Sequence, residues 1–249
     1  MSAATLEKMK KMKLYGMFRM FKTSIESVRR EDLTPDEMAA ALVDSEWDDR
    51  QNRSFERSVK NARFRYKASI ESMSFDADRN IDKNMIMRLC SCEFIDKHEN
   101  VLITGSTGVG KSYIASALGH QACSLGYRVN YYSTARLFGK LKMAKADGSY
   151  VKELVKIEKQ HALILDDFGL QPFDAQNRAA LMDIIEDRHG KKSTIITSQI
   201  PVAKWHEVIG DKTVADAILD RIIYESHRLE LRGESLRKQS KTAQDESTK

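Results

Sequence analysis

The sequence predicts an α/β protein, a parallel sheet covered by helices, with a small basic helical domain ahead of it. Three observations lead there. Gly105-Ser106-Thr107-Gly108-Val109-Gly110-Lys111-Ser112 fits G-x-x-x-x-G-K-[ST] at every fixed position, between an apolar run at residues 100–104 and a helical pattern from Tyr113 onward. Two further apolar runs end in polar side chains: residues 162–165 in Asp166-Asp167, and residues 193–196 in Thr197-Ser198-Gln199. Such runs describe strands buried on both faces, whose ends open on a ligand crevice. Residues 1–70 instead combine helical periodicity with clustered Lys and Arg.

A chain of 249 residues has room for a core and an appendage. The division expected is a basic helical domain at 1–70, an α/β core at 71–240 and a disordered polar tail at 241–249. Hydrophobic residues at 41% allow a real core, and no apolar run approaches the ~18 residues that would cross a membrane. The lysine-bearing N-terminus lacks the apolar stretch of a secretory signal. Cys90, Cys92 and Cys123 are too few and too odd in number for a disulfide framework, and no second pair completes a metal site around Cys90-Ser91-Cys92. Buried thiols in a reducing cytoplasm are expected. The formal net charge of +5 says little about partners, but residues 1–30 hold eight Lys/Arg against two acids.

Residues 5–28 read as one amphipathic helix, with Leu14, Met17, Phe18, Phe21, Ile25 and Val28 at three- and four-residue steps. Lys8, Lys11, Tyr15, Arg19 and Lys22 share another stripe, which is either a solvated face or a contact to nucleic-acid phosphate. Thr34-Pro35-Asp36-Glu37 starts a helix, with Thr as N-cap and Pro at N1. Phe55, Val59, Ala62 and Phe64 mark another, among Arg53, Arg57, Lys60, Arg63, Arg65 and Lys67. Residues 75–82 are the candidate wall for a nucleotide base, and residues 82–98 a helix. Residues 128–133 are a second strand. Thr134 caps a helix over 135–146 that bears Arg136, Lys140, Lys142 and Lys145, and 150–159 is helical again. Residues 215–223 form a helix with a single arginine, Arg221, among apolar residues. That charge must be paired, with Asp216 or Asp220, or used on a phosphate across a subunit boundary. Residues 227–231 alternate as a final strand.

The spacing specifies phosphate chemistry. Glycines let backbone N–H groups converge on phosphate oxygens, and the helix behind them adds partial positive charge. Lys111 would reach the β- and γ-phosphates, and the Ser112 hydroxyl would ligate Mg²⁺. Asp166, 55 residues beyond Lys111, would hold the same ion, and Asp167 would polarise attacking water. A polar side chain at the end of the 193–199 strand would position that water, Gln199 ahead of Thr197 and Ser198.

The order of these motifs, closing with Leu219-Asp220-Arg221 and Gly233-Glu234-Ser235-Leu236-Arg237, resembles that of AAA+ ATPases. Within them it is most similar to the IstB-type helper proteins of insertion sequences, relatives of the DnaC helicase loader and the DnaA initiator. Thr197-Ser198-Gln199, Val202-Ala203-Lys204-Trp205 and Gly233-Glu234-Ser235 carry the likeness, which is strong over about residues 70–240. It implies an αβα core with a five-stranded parallel sheet and a rudimentary C-terminal lid. It implies ATP and Mg²⁺ as ligands, the loop from Gly105 to Tyr113 as the nucleotide cradle, and homo-oligomers with ATP at subunit interfaces. It further implies assembly on duplex DNA and delivery of a transposase, whose activity is stimulated. Lys111 and Ser112 match the phosphate-loop pair, Asp166 and Asp167 the acidic pair, Gln199 the first sensor, Arg221 the arginine finger and Arg237 the second sensor. The helix from Arg136 to Lys145 matches a DNA-facing element. Gln in place of the usual Asn leaves the sensor role open among residues 197–199.

A replicative helicase loader is the nearest alternative, although no zinc-ligand cluster or aromatic series favours single strands. A metabolite kinase needs neither the acidic pair nor the lone arginine. An unfoldase would need an aromatic pore loop and a full lid.

Overall fold

The computed structural model describes residues 2–26, 34–73, 75 and 80–236. The chain divides into two compact units, Met1–Arg57 and Ser58–Lys249.

The first unit holds α1 (Ser2–Lys11), α2 (Tyr15–Glu26) and most of α3 (Pro35–Ala62). The single helix expected over residues 5–28 is therefore two. Lys13 adopts φ 60° between them, and the apolar spacing hides this because the three-residue break is close to one helical turn. Val28 lies outside the described residues. Conversely, the two helices expected around Thr34 and Phe55 are one, α3. Its start is a capping box: the Thr34 hydroxyl accepts from Glu37 N–H at 3.3 Å, and the Glu37 carboxylate accepts from Thr34 N–H at 2.7 Å. Buried Glu46 of α3 accepts from the Gly16 and Met17 N–H groups at 2.8 and 3.3 Å, placing an anion at the α2 N-terminus. Ser45 Oγ donates to the Gly16 carbonyl at 3.0 Å. Here α2 and α3 cross so closely that a Cβ on Gly16 would overlap the Ser45 carbonyl oxygen.

The second unit carries the sheet, whose strands are β1 (Asn100–Gly105), β2 (Val129–Ser133), β3 (Ala162–Phe168), β4 (Ser193–Ser198) and β5 (Ser226–Leu231). They are all parallel, in the order β2-β3-β4-β1-β5, as the expected five-stranded α/β core requires. The inner strands β1, β3 and β4 are almost wholly buried, while the edges β2 and β5 mix buried and accessible positions. This is why the inner strands read as apolar runs and β5 as an alternation. Around the sheet lie α4 (Lys83–Cys90), α5 (Glu93–Asp96), α6 (Lys111–Ser124), α7 (Thr134–Ala146), α8 (Tyr150–Glu158), α9 (Ala175–Arg188), α10 (Trp205–Ile209) and α11 (Lys212–Ile223). The helix expected over 82–98 breaks at Cys92, which has φ 60°, and Asp82 caps its first half by accepting from Asn84 and Met85 N–H. Helix α9 has no counterpart among the expected elements, although Asp174 caps it. Leu102, Leu165, Ile196, Trp205 and Ile218 belong to one buried cluster.

Phe64 ties the segment after α3 to this core. Its ring centroid is 4.4 Å from that of His120 and 6.3 Å from that of Tyr131. A Cβ on Gly119 of α6 would overlap that ring, so the glycine inside a helix is a seat for Phe64. Among the described residues, no helix is long and apolar enough to cross a membrane.

Gly16→Ala tests the α2–α3 crossing. The obstacle is backbone, which no rotamer change relieves, so the variant should lose about 1–3 kcal/mol of packing. Amide hydrogen exchange should quicken across α2 while β1, β3 and β4 keep wild-type protection. Unchanged exchange in α2 would show that the crossing has slack.

Candidate active site

The phosphate loop leaves the end of β1 beside the ends of β3 and β4, where the strand order reverses. Gly105, Gly108 and Gly110 have φ 147°, 87° and 99°, values that L side chains rarely adopt. Chain packing reinforces that demand. A Cβ on Gly105 would overlap the Leu231 carbonyl oxygen, and one on Gly108 would overlap Ser235 Oγ. Lys111 is nearly buried and donates to the carbonyls of Gly105 and Ser106, each at 2.7 Å.

Asp166 is the centre of the site. It is fully buried. Its Oδ1 accepts from Ser112 Oγ at 2.7 Å and from Thr197 Oγ1; its Oδ2 accepts from Tyr131 Oη and from Arg65 Nη1 at 3.1 Å. Burial alone would push its pKa up. The bonds from Thr197, Tyr131, Ser112 and Arg65 outweigh it and hold the carboxyl below its ordinary value. The same partnership raises the Arg65 pKa: burial works against its charge, and the bond to Asp166 overcomes that. Thr134, expected as a helix cap, is buried and donates to the Asp166 carbonyl at 2.9 Å, while Ser133 takes the cap position.

Asp167 accepts from the same Arg65 Nη1 at 3.0 Å. It has φ 57° and lies within a register shift between Leu165 and Phe168. Left-handed backbone costs an ordinary residue on the order of 1–2 kcal/mol. Here it turns the second carboxylate out of the strand, leaving it partly exposed in the cavity. Thr197 serves both acids, since its Oγ1 also accepts from Asp167 N–H at 3.2 Å. Gln199 Oε1 accepts from Thr107 Oγ1 of the phosphate loop at 2.7 Å, whereas Ser198 Oγ turns to the Phe168 carbonyl.

Arg65, Thr107, Lys111, Ser112, Asp167 and Gln199 line a cavity of about 300 Å³, with Asp166 buried behind them. Tyr66 and Tyr113, with ring centroids 6.3 Å apart, and Leu236 form its apolar flank. The base wall expected at residues 75–82 does not border it through Phe75 or residues 80–82; residues 76–79 lie outside the described set, as does Arg237. Leu236 N–H donates to the Gly108 carbonyl at 3.1 Å, which brings the end of the described chain onto the loop.

Other expected residues lie elsewhere. Arg221 pairs with Glu186 of α9 at 3.1 Å, not with Asp216 or Asp220, and donates to the Ala217 carbonyl at 2.8 Å; Asp216 binds His206 instead. Its own carbonyl receives Asn100 Nδ2. Asn100 opens β1 and Gly105 closes it, so the Arg221 backbone carbonyl lies about one strand length, roughly 16 Å at strand rise, from the phosphate-loop end of β1. On α7, Arg136, Lys142 and Lys145 are exposed, but Lys140 is held in an ion pair by Glu153, which also binds Lys156 at 2.6 Å. Lys8 and Lys11 are exposed on α1. No cluster of His, Cys, Asp and Glu suited to a metal occurs among the described residues, and burial pushes the Cys92 and Cys123 thiols up to about 12.

Sequence comparison decides the family. The family model described as IstB-like ATP binding protein matches residues 7–244. The chain belongs to this family. A protein of Sinorhizobium fredii named as an insertion-sequence ATP-binding protein is 42% identical over 94% of this chain and 96% of its own length. The protein so named from insertion sequence IS21 of Pseudomonas aeruginosa is 32% identical over 87% of this chain and 82% of its own. Among solved structures, the DnaC helicase loader matches with TM-score 0.56 and 22% identity, covering 67% of this chain and 98% of that one. DnaA of Aquifex aeolicus, bound to AMPPCP, matches with TM-score 0.56 and 20% identity over 74% of this chain and 56% of its own. The second unit thus has the P-loop AAA+ fold.

Because the folded pKa of Asp166 lies below its unfolded value, near 3.9, its contribution to stability is full above that value and is lost as pH falls through the folded pKa. Asp166→Asn sets two amide donors against groups that already donate and should cost on the order of 1–3 kcal/mol at pH 7 in EDTA. Urea melts should show the gap between variant and wild type closing as pH falls from 5 towards 3. A gap independent of pH would mean that the charge of Asp166 contributes nothing.

Proposed function

We propose that this chain is an ATPase that assembles on duplex DNA as a homo-oligomer and recruits and stimulates the transposase of its own insertion sequence. The observation that carries the ATPase part is the buried Asp166 carboxylate bonded to Ser112 at the mouth of a glycine loop. The donor set fits Mg²⁺: a hydroxyl and a charged carboxylate already in contact, with a second carboxylate beside them. When bound, the ion would neutralise β- and γ-phosphate oxygens. Lys111 would turn from the loop carbonyls to the phosphates, Asp167 would polarise water, and Gln199, bonded to Thr107, would register the terminal phosphate. The relatives' insertion-sequence names support the transposition setting. Exposed Arg136, Lys142 and Lys145, with Lys8 and Lys11, supply cationic side chains for DNA phosphate. The place of Arg221, far from its own loop, supports a role at a neighbour's nucleotide, where such a group contributes on the order of 10³–10⁵ in rate.

One set of ATPase and filter-binding assays tests this. Lys111→Ala should lose tight ATP binding, and Arg221→Ala should bind ATP yet turn it over at least 10²-fold more slowly. Mixing the two should restore partial DNA-stimulated turnover, because some junctions then pair an intact loop with an intact arginine. Normal turnover by Arg221→Ala alone would return Arg221 to its ion pair with Glu186.

Duplex affinity should fall with salt at a slope of roughly −0.9 per phosphate contact. The double variant Arg136→Gln/Lys142→Gln should flatten that slope by about two contacts and weaken all sequences alike. Lys140→Gln should change it less, since Glu153 already engages that charge. A salt-independent affinity would argue that α7 meets a protein.

A further inference from the structure

We propose that Arg65 is the resident counter-cation of the Asp166–Asp167 pair and competes with the divalent cation for it, setting how strongly metal tightens nucleotide binding. The proposal rests on the ATP–metal reading of the site. One nitrogen, Arg65 Nη1, donates to Oδ2 of both acids at 3.1 and 3.0 Å. Two carboxylates this close repel each other unless a cation lies between them, and the guanidinium supplies it. A metal ion drawn to Asp166 meets that positive charge already on the carboxylate, and two cations drawn to one carboxylate disfavour each other.

The other donors to Asp166 cannot leave as readily. Ser112 is fixed in α6, Thr197 in β4 and Tyr131 in β2. Arg65 instead comes from the segment after α3, outside any helix or strand, with 41% of its side chain exposed while Asp166 has none. Phe64 anchors that segment on His120 and Tyr131, so the backbone can stay while the arginine head moves. The head remains in a cavity whose wall includes Lys111 and Ser112. Arg65 is thus a positioning residue whose charge the metal must displace.

The test is the ratio of dissociation constants for a fluorescent N-methylanthraniloyl-ATP in EDTA and in saturating Mg²⁺, on the full chain. The ratio should rise about tenfold in Arg65→Gln and stay near wild type in Arg65→Lys. Mn²⁺ alone, followed by electron paramagnetic resonance, should bind Arg65→Gln more tightly than wild type. An unchanged or smaller ratio in Arg65→Gln, with a lowered melting temperature, would make Arg65 structural and overturn the proposal while leaving ATP binding intact. If wild type binds no analogue, the ATP reading fails, and the Mn²⁺ titration alone decides the competition.

Discussion

Most of the site depends on keeping one carboxylate charged where water cannot reach it. Asp166 ends an apolar strand and has no exposed surface. Leaving such a group unpaired would cost far more than any single contact returns. Four donors from four parts of the chain therefore converge on it: Ser112, Thr197, Tyr131 and Arg65. Each is an alignment constraint as well as a bond. Ser112 fixes the start of α6 against β3, Thr197 fixes the end of β4, Tyr131 fixes the edge strand β2, and Arg65 brings in the segment after α3. Thr134, on the Asp166 carbonyl, adds the start of α7. The charge that would serve a metal is the charge that orders the C-terminal edge of the sheet.

The opposite edge is built differently. Asn100 opens β1 by donating to the carbonyls of Arg221 and Ile222 and accepting from Thr194 N–H, stitching α11 and β4 to the first strand. Nearby, Arg188 is buried with no carboxylate partner among the described residues, donating to the carbonyls of Ile157, Gln160 and Ser193 and to Thr194 Oγ1. Carbonyl dipoles do not repay a desolvated charge as an anion would, and burial lowers its pKa to about 9. The strand length between the two edges separates Lys111 from Arg221. In the homo-oligomer proposed above, these two poles on one domain would suit head-to-tail contacts, in which each subunit offers a different face to each neighbour.

Legibility followed burial. The glycine loop, the acidic pair and the strands β1, β3 and β4 could be read because each joins a long apolar run to chemistry at its end. The break at Lys13 could not, because it keeps the apolar spacing in phase. The α2–α3 crossing was equally hidden: Gly16 and Glu46 are 30 residues apart, and neither is unusual alone. Arg65 looked like one more charge in a basic stretch, and only the fold brings it to Asp166 and Asp167, about a hundred positions on. Tyr131 read as a strand residue and Thr134 as a cap, since no local pattern reports a bond to a distant carboxylate. Arg221 reads as a charge needing a partner, but that partner, Glu186, lies on α9, which has no counterpart among the expected elements.

The loop glycines show why a motif can be over-constrained. Phosphate recognition needs positive φ and a bare backbone. The chain after β5 asks for the same things for another reason: the Leu231 carbonyl sits where a Gly105 side chain would begin, and Ser235 where a Gly108 side chain would begin. Leu236 N–H then bonds the Gly108 carbonyl. A larger residue at either position would displace the segment after β5 before any nucleotide was involved. That segment and the phosphate loop therefore form one packed unit, and any movement of the loop on binding phosphate must be transmitted to Gly233-Glu234-Ser235-Leu236 or resisted by it.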